Sequence, residues 1–209
     1  GTHATIEDFV NYDAGNEVSI SKDEMQEIMN YRSALFYALE EMSTISDVSE
    51  KGKHKLPLSI RLIKSMHRIL LDNVRGQTKT PGEFKTEQNY IGNSNEITFT
   101  PLPAELTLEY MSNLEQYIHY DEVDLLVQAA LLHCQFEMIH PFKDGNGRIG
   151  RVLIPLFLYY REILPVPTFY MSAFFEKDRN TYLEKLSAVS KNNDYATWIK
   201  YFLEGVIQQ

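Results

Sequence analysis

The sequence is short of cysteine, of basic residues and of long apolar runs. Its one cysteine, Cys134, excludes an intrachain disulfide, fits a reducing compartment, and lies in an apolar stretch where a small core residue is expected. With 20 Lys and Arg against 29 Asp and Glu, the net charge of −9 argues against a broad nucleic-acid-binding face. The most apolar stretch, residues 152–160, is too short to cross a bilayer, and no signal peptide is visible. We therefore expect a cytoplasmic protein that binds neither nucleic acid nor membranes.

The sequence also lacks an internal repeat, a low-complexity tract and an initial methionine. Its 209 residues and 44% hydrophobic content are typical of one large soluble domain. We expect residues 1–55 to form an N-terminal helical segment that packs on a core of residues 56–209. Because the sequence begins with Gly1, we expect it to be trimmed from a longer protein, with any accessory domain outside it.

Helical periodicity runs through most of the chain. In the stretch that begins "SKDEMQEI", Ser21 and Glu24 have the spacing of a capping box, and apolar residues follow at helical intervals. The stretch that begins at Ser59 has the same pattern, and Gly76 is its predicted stop. Further helices are predicted near residues 106–118, 178–190 and 195–207.

Two stretches, residues 123–139 and 147–163, are apolar nearly all round. Helices of that kind are normally buried in the middle of a bundle. The first must stop near His140, because a residue that precedes a proline is pushed out of the α region. The second contains Pro155, which should bend it.

One stretch, "NYIGNSNEITFTP", carries the only convincing strand pattern. Gly92 and Asn93 can turn a small hairpin, and residues 97–99 alternate in polarity. The predicted fold is therefore all-α, with one β-hairpin flap.

A polar segment between the two apolar stretches, "HPFKDGNGRIGR" at residues 140–151, concentrates the residues that could carry chemistry. Asn146 is a good helix N-cap, and Gly145 and Gly147 free the backbone to turn its N–H groups outward, which predicts an anion site at a helix N-terminus. Arg148 and Arg151 are three positions apart and share one face of the first turn. Cations there oppose the helix dipole at a cost of about 0.3–1 kcal/mol each, which an anion such as a polyphosphate between them would offset.

Two further groups at the rim of this segment indicate the kind of reaction. Asp144 suits Mg²⁺, which prefers one or two carboxylates together with phosphate oxygens and water. His140, whose ordinary pKa is about 6.5, is the natural general base. A base, a metal carboxylate, a phosphate-binding turn and an arginine pair together indicate phosphoryl or nucleotidyl transfer to a hydroxyl.

Each of these residues also has a purely structural explanation. His140 could cap the preceding helix, Asp144 could be a turn aspartate, and the arginines could pair with carboxylates. Because all of them lie in one loop, a catalytic or binding role is favoured over these separate structural explanations. Competing motifs fail: the positions after Asp144 do not fit a calcium loop, no GxxxxGK[ST] loop exists, and His133 is better explained as a core histidine than as a zinc ligand.

The segment matches the signature of the Fic (Fic/Doc) family, HPFx[DE]GNGRxxR, at every defined position. The helix "LLHCQFEMIHPF" and the stretch "PGEFKTEQNYIG" also resemble that family, so the resemblance covers nearly the whole chain. It implies a Fic-type helical bundle and AMPylation, the transfer of AMP from ATP to a Ser, Thr or Tyr hydroxyl of a target protein. His140 would then deprotonate the hydroxyl and Asp144 would hold Mg²⁺. The phosphates would be bound by Gly145, Asn146, Gly147, Arg148 and Arg151.

The flap and the adenine pocket are assigned from the resemblance alone. The flap would span about residues 88–101 and lie over the active site. Within it, Ile97 and Thr98 would align a target segment by strand-like backbone pairing. Tyr182 falls where the family often lines the adenine pocket, although a core tyrosine at helical spacing explains it equally well.

The resemblance also suggests how such a protein is regulated. In many members a helix with the motif [ST]xxxE[GN] inserts a glutamate that pairs with the second arginine of the signature. "GTHATIED" resembles the sequence that directly follows that motif, and neither Glu7 nor Glu204 has the neighbours that the motif requires. We expect this sequence to be more active than a version that carries the inhibitory helix, and equal rates of self-AMPylation would contradict that.

The leading interpretation is a protein adenylyltransferase that uses Mg²⁺ and ATP. A Doc-like kinase is disfavoured because such members depart at the glycines that Gly145 and Gly147 supply here. Transfer of another nucleotide and reversal of AMPylation stay open, as does a non-catalytic module that senses ATP. Such a module would be expected to lose His140 or Asp144, and neither is lost. The sequence identifies no target and leaves a homodimer open.

Overall fold

Eight α-helices account for most of residues 21–43, 57–74, 76–92 and 97–209, which are the parts of the chain that this computed structural model describes. They are α1 (Lys22–Ser43), α2 (Ile60–Leu70), α3 (Thr107–Ile118), α4 (Leu125–Ile139), α5 (Asn146–Tyr160), α6 (Ser172–Lys177), α7 (Arg179–Asn192) and α8 (Tyr195–Gln208). A 3₁₀ turn at Ala104–Leu106 precedes α3, and two strands, β1 (Ile91–Gly92) and β2 (Ile97–Phe99), form the flap. The predicted all-α class with a β-hairpin is confirmed.

The first two helices pack against each other, and α1 also contacts α5. The predicted capping box starts α1: Ser21 Oγ accepts a hydrogen bond from the Glu24 amide, and Glu24 Oε2 accepts one from the Ser21 amide, both at 3.2 Å. The predicted end of α2 at Gly76 is wrong, because the helix ends at Leu70. Asn30 of α1 explains the early end, since its side-chain amide donates to the carbonyl of Leu70 at 3.3 Å.

The centre of the fold is the pair α4 and α5, as the two apolar stretches predicted. Asp124 caps α4 by accepting hydrogen bonds from two backbone amides of the first turn. As predicted, α4 ends before Pro141: Ile139 is its last residue, and His140 adopts a left-handed conformation with φ 49°. Pro155 lies inside α5, which continues through it to Tyr160.

The flap is an antiparallel pair in which Ile91 lies opposite Phe99 and Gly92 lies opposite Ile97. The pairing is irregular between Ile91 and Gly92, as in a β-bulge. The predicted turn at Asn93 lies outside the described residues. Thr98 stabilises the pair from its side chain, since its hydroxyl donates to the carbonyl of Ile91 at 3.0 Å.

The last three helices close the other side of α4. Aspartates cap both long ones: Asp178 accepts from the Thr181 amide at 3.0 Å, and Asp194 accepts from the Thr197 amide at 3.1 Å. Trp198 of α8 is fully buried and donates its indole N–H to the carbonyl of Ala130 at 2.8 Å. No helix in the described ranges is both long and apolar enough to span a membrane.

Candidate active site

The loop between α4 and α5 is held by Asn146. Its side-chain oxygen accepts a hydrogen bond from the Phe142 amide at 2.8 Å, and its side-chain nitrogen donates to the Phe142 carbonyl at 2.7 Å. The prediction that Asn146 is the N-cap is therefore wrong, since it is the first helical residue and its side chain turns back onto the loop. Gly145 is the N-cap, with a φ of 77° that strongly favours glycine. A Cβ there would also lie only 3.2 Å from Nε2 of His67.

The first turn of α5 has no side-chain cap. Its first helical hydrogen bond runs from the Ile149 amide to the Gly145 carbonyl at 3.0 Å, so the amides of the three preceding residues have no acceptor within the helix. These amides and the helix dipole favour an anion at this end. The neighbouring Asp144 carboxylate accepts from the Gly145 amide at 2.6 Å, which holds it at the edge of the same turn.

Both arginines of the signature lie at this turn, in different surroundings. The guanidinium of Arg148 is 3.7 Å from a carboxylate oxygen of Glu27 and 3.8 Å from one of Asp144, and the side chain is largely buried. Arg151 Nη1 lies 3.1 Å from the point that a Cβ on Gly147 would occupy, so its guanidinium folds back along the first turn. Two cations therefore flank the end of the helix that already favours anions.

His67 of α2, which the sequence analysis did not single out, supports the loop from beneath. The Gly82 amide donates to Nδ1 at 2.8 Å, so Nε2 carries the proton and donates to the Asp144 carbonyl at 2.8 Å. The ring stacks on Phe142 with centroids 3.7 Å apart. Burial lowers the pKa of His67 to about 4, so the ring is neutral and fixed in one tautomer.

Lys85 and Asn89 connect the flap to the loop, and no local pattern in the sequence predicts either role. The buried Lys85 ammonium donates to Asn89 Oδ1 at 2.9 Å and to the carbonyls of Leu102 and Ile139 at 2.7 and 3.0 Å. Asn89 in turn donates to the carbonyls of His140 and Phe142 at 3.3 and 3.0 Å. Burial lowers the pKa of Lys85 to about 8. The base of the flap and the motif loop thus share one hydrogen-bond network.

His140 turns its ring back toward the last turn of α4. Its Nδ1 lies 3.3 Å from the carbonyl of Glu137 and 3.8 Å from the Glu137 carboxylate, which leaves Nε2 as the nitrogen that could accept a proton. Burial, with a smaller contribution from the neighbouring Lys85, lowers the pKa of His140 to about 4. The ring is therefore neutral at pH 7.

A cavity of about 490 Å³ lies between the flap, the end of α4 and one face of α7. We call it the flap cavity; its lining includes Ile91, Ile97, Thr98, Phe99, Glu137, Met138, Tyr182, Leu183 and Leu186. Ile97 and Thr98, predicted to align a target, and Tyr182, predicted to line the adenine pocket, thus line the same cavity. Tyr182 is mostly core, however: it is 7% exposed, and its hydroxyl lies 3.1 Å from Nε2 of the buried His133.

Comparison with known proteins identifies this architecture. Residues 57–158 match the Fic/DOC family. The chain belongs to the Fic/DOC family. Protein adenylyltransferase fic-1 of Caenorhabditis briggsae is 33% identical over 124 residues, which are 56% of this chain and 23% of that protein. Protein adenylyltransferase Fic of Drosophila erecta is 30% identical over 149 residues, 70% of this chain and 27% of its own length.

Solved structures show the same fold. A Fic family protein from Desulfovibrio desulfuricans G20 superposes with a TM-score of 0.77 over 98% of this chain and 57% of its own, at 20% sequence identity. The chain spans about a quarter of the length of the two curated relatives, 23% and 27%.

Within this Fic domain, the signature residues meet around the first turn of α5. His140, Asp144, Arg148 and Arg151 lie there as the spacing predicted, whereas Asn146 supports the loop. His67, Lys85 and Glu137 complete the surroundings from three other parts of the chain. The one signal for Glu137 in the sequence is an acidic residue inside an otherwise apolar helix, seven positions before Asp144.

Proposed function

We propose that this Fic domain transfers AMP from ATP to a Ser, Thr or Tyr hydroxyl of a target protein. The observation that carries the proposal is the start of α5, where a left-handed Gly145 and uncapped amides lie between two arginines. A helix end of this kind stabilises a multiply charged anion, and a triphosphate supplies that charge. Arg148 and Arg151 would bind its outer phosphates, and the backbone of Gly145, Asn146 and Gly147 would cradle them.

The residues present fit magnesium that arrives with the nucleotide. Among the described residues, no three His, Cys, Asp or Glu side chains lie close enough together to hold a metal ion. The half-buried Asp144 supplies one carboxylate at the phosphate turn, and Mg²⁺ commonly takes one or two carboxylates plus phosphate oxygens and water. When bound there, the ion would neutralise phosphate charge. Asp144 is fixed for this role by the Gly145 amide and, through its carbonyl, by His67.

The base and the flap fit the remaining parts of the reaction. In the proposed step, Nε2 of His140 takes the proton from the target hydroxyl, whose oxygen bonds to the α-phosphorus while the bond to pyrophosphate breaks. The flap cavity has the volume of a small-ligand site and would take the nucleoside. Each strand of a two-stranded sheet has one unpaired edge, so the strand of Ile97 and Thr98 could align a target segment by backbone pairing.

Labelled ATP tests the proposal directly. The chain is incubated with α-labelled and γ-labelled ATP in parallel, with a lysate as the source of targets, and label on protein is measured. We expect label from the α position only, its loss in His140→Ala, and its retention in Glu109→Gln, a surface control on α3. Label from the γ position would make the domain a kinase, and no label from either would leave nucleotide sensing or removal of AMP as its role. The cytoplasmic location and a homodimer stay predictions.

A further inference from the structure

Glu137 is a buried acidic residue that the reaction as proposed leaves without a task. It lies on α4, one turn before His140, with its side chain 11% exposed in the wall of the flap cavity. Burying a carboxylate without a dedicated partner costs several kcal/mol, so such a residue is expected to have a function. We infer that Glu137 is the carboxylate partner of His140, a positioning residue that stabilises the proton which His140 takes from the target hydroxyl. This inference rests on the proposed function.

The geometry places the carboxylate on the correct side of the ring. Oε2 of Glu137 lies 3.8 Å from Nδ1 of His140, while the Glu137 carbonyl lies 3.3 Å from the same nitrogen. Both groups therefore face the N–H that must remain on Nδ1 while Nε2 works as the base. A base backed by a carboxylate is a recurring catalytic arrangement, and such contacts are often long until substrate is bound.

The neighbouring helix leaves room for this carboxylate. A Cβ on Gly150 of α5 would collide with Oε1 of Glu137, so glycine at that position is what admits the side chain. Within the described residues, Oε1 is buried and has no hydrogen-bond partner. Its nearest compensation is electrostatic, because the Arg151 guanidinium lowers the pKa of Glu137.

The charged and titratable neighbours decide when the carboxylate is ionised. Burial raises the pKa of Glu137 to about 7, against the opposing effect of Arg151 from α5. Tyr182 of α7 and Cys134 of α4 also face it, and the pKa of each is raised first by burial and then by the carboxylate. On the other side of the pair, His140 is faced by Lys85 and Asp144.

The direction of the pH effect follows from these shifts. Below pH 7 the pair already holds one proton, on the carboxyl of Glu137, and His140 alone is a weak base with a pKa of about 4. Above pH 7 the carboxylate is charged, so the proton that moves from the hydroxyl to Nε2 creates an imidazolium beside an anion. The Glu137 carboxylate stabilises the charge of that imidazolium without taking its proton, so the proton from the hydroxyl stays on Nε2 and atoms and charge balance. The rate of AMP transfer should therefore rise as the pH passes through about 7.

The test combines a pH profile with a measurement that needs no activity. Release of pyrophosphate from Mg-ATP is followed between pH 5.5 and 9 for wild type, Glu137→Gln, Glu137→Asp and the surface control Glu109→Gln. In parallel, the ring resonances of His140, assigned with a His140→Gln variant, are titrated by NMR without nucleotide. We expect Glu137→Gln to lose about 10- to 100-fold in rate at pH 8 and to lose the inflection near pH 7. Glu137→Asp should keep the inflection and part of the rate.

The NMR titration separates this inference from the proposed function. We expect the wild-type His140 resonances to show a step near pH 7 that reports ionisation of Glu137, and we expect Glu137→Gln to lack it. If wild type shows no such step, or if the two pH profiles superpose, the inference is wrong even when AMP transfer is seen. If the step is present but no variant transfers AMP, the pairing stands and the proposed function fails. Because the step is read in wild type, a variant that does not fold leaves the test intact.

Discussion

His133 should make the protein sensitive to acid, although it takes no part in the proposed reaction. It is fully buried between α4, α5 and α7, where Nδ1 lies 2.9 Å from the Gly150 carbonyl and Nε2 lies 3.1 Å from the Tyr182 hydroxyl. A carbonyl can only accept, so Nδ1 carries the proton and Tyr182 donates to Nε2. The ring also stacks on Phe175, with centroids 5.2 Å apart. These surroundings therefore stabilise the neutral form of the His133 imidazole and disfavour its protonated form.

The size of the effect follows from the pKa. Burial lowers the pKa of His133 from 6.5 to about 4, so between those values the unfolded chain binds more protons than the folded one. The stabilisation is complete above pH 6.5 and is lost as the pH falls toward 4. For a shift of this size, linkage gives a loss of roughly 2–3 kcal/mol in the free energy of unfolding at pH 4.5 relative to pH 7.5.

Urea denaturation at pH 7.5 and 4.5 measures this loss. His133→Asn can keep the donor to the Gly150 carbonyl but cannot titrate, so its loss on acidification should be roughly 2–3 kcal/mol smaller than that of wild type. Tyr182→Phe is the matched control: it should cost about 1 kcal/mol at pH 7.5 and keep the acid sensitivity. Equal losses on acidification for wild type and His133→Asn would refute the reasoning.

Three other substitutions have definite expected outcomes. Asn146→Ala leaves the buried Phe142 amide without its acceptor and should lower the free energy of unfolding by about 2 kcal/mol in urea titrations. Lys85→Met removes three hydrogen bonds and should speed hydrogen exchange at the flap more than in α8, whereas uniform exchange would contradict its bracing role. Gly150→Ala should cost about 1–3 kcal/mol by collision with Glu137, and the cost should fall in combination with Glu137→Ala; strict additivity would show no contact.

The elements that the sequence predicted well are those set by local rules. The capping box at Ser21 and the end of α4 before Pro141 depend on residues within one turn of each other, and both were confirmed. The end of α2 was placed too late, because the residue that closes it, Asn30, lies 40 positions away from Leu70 in the sequence. The local sequence around Leu70 does not predict a contact with so distant a residue.

The position of the signature residues was predictable from the sequence, whereas the residues that support them were not. The signature segment placed His140 and Asp144 correctly beside the start of α5. An asparagine side chain can cap a helix or bridge a loop. Asn146 bridges the loop because the tertiary structure brings the Phe142 backbone within hydrogen-bond distance, and the local sequence does not predict that. His67 is 77 positions from its partner Asp144 in the sequence. From the sequence alone, nothing distinguishes it from the other residues on the inner face of α2.

The carbonyl of Phe142 accepts hydrogen bonds from Asn89, below the flap, and from Asn146, at the phosphate turn. This single carbonyl oxygen thereby links the base of the flap, which would bind a target, to the phosphate turn, which would bind a nucleotide. An exchange of residues 85–99 for those of a relative, made to change the choice of target, would remove the Asn89 donor and disturb the proposed phosphate turn as well. A graft limited to the strands should therefore leave Lys85 and Asn89 of this chain in place.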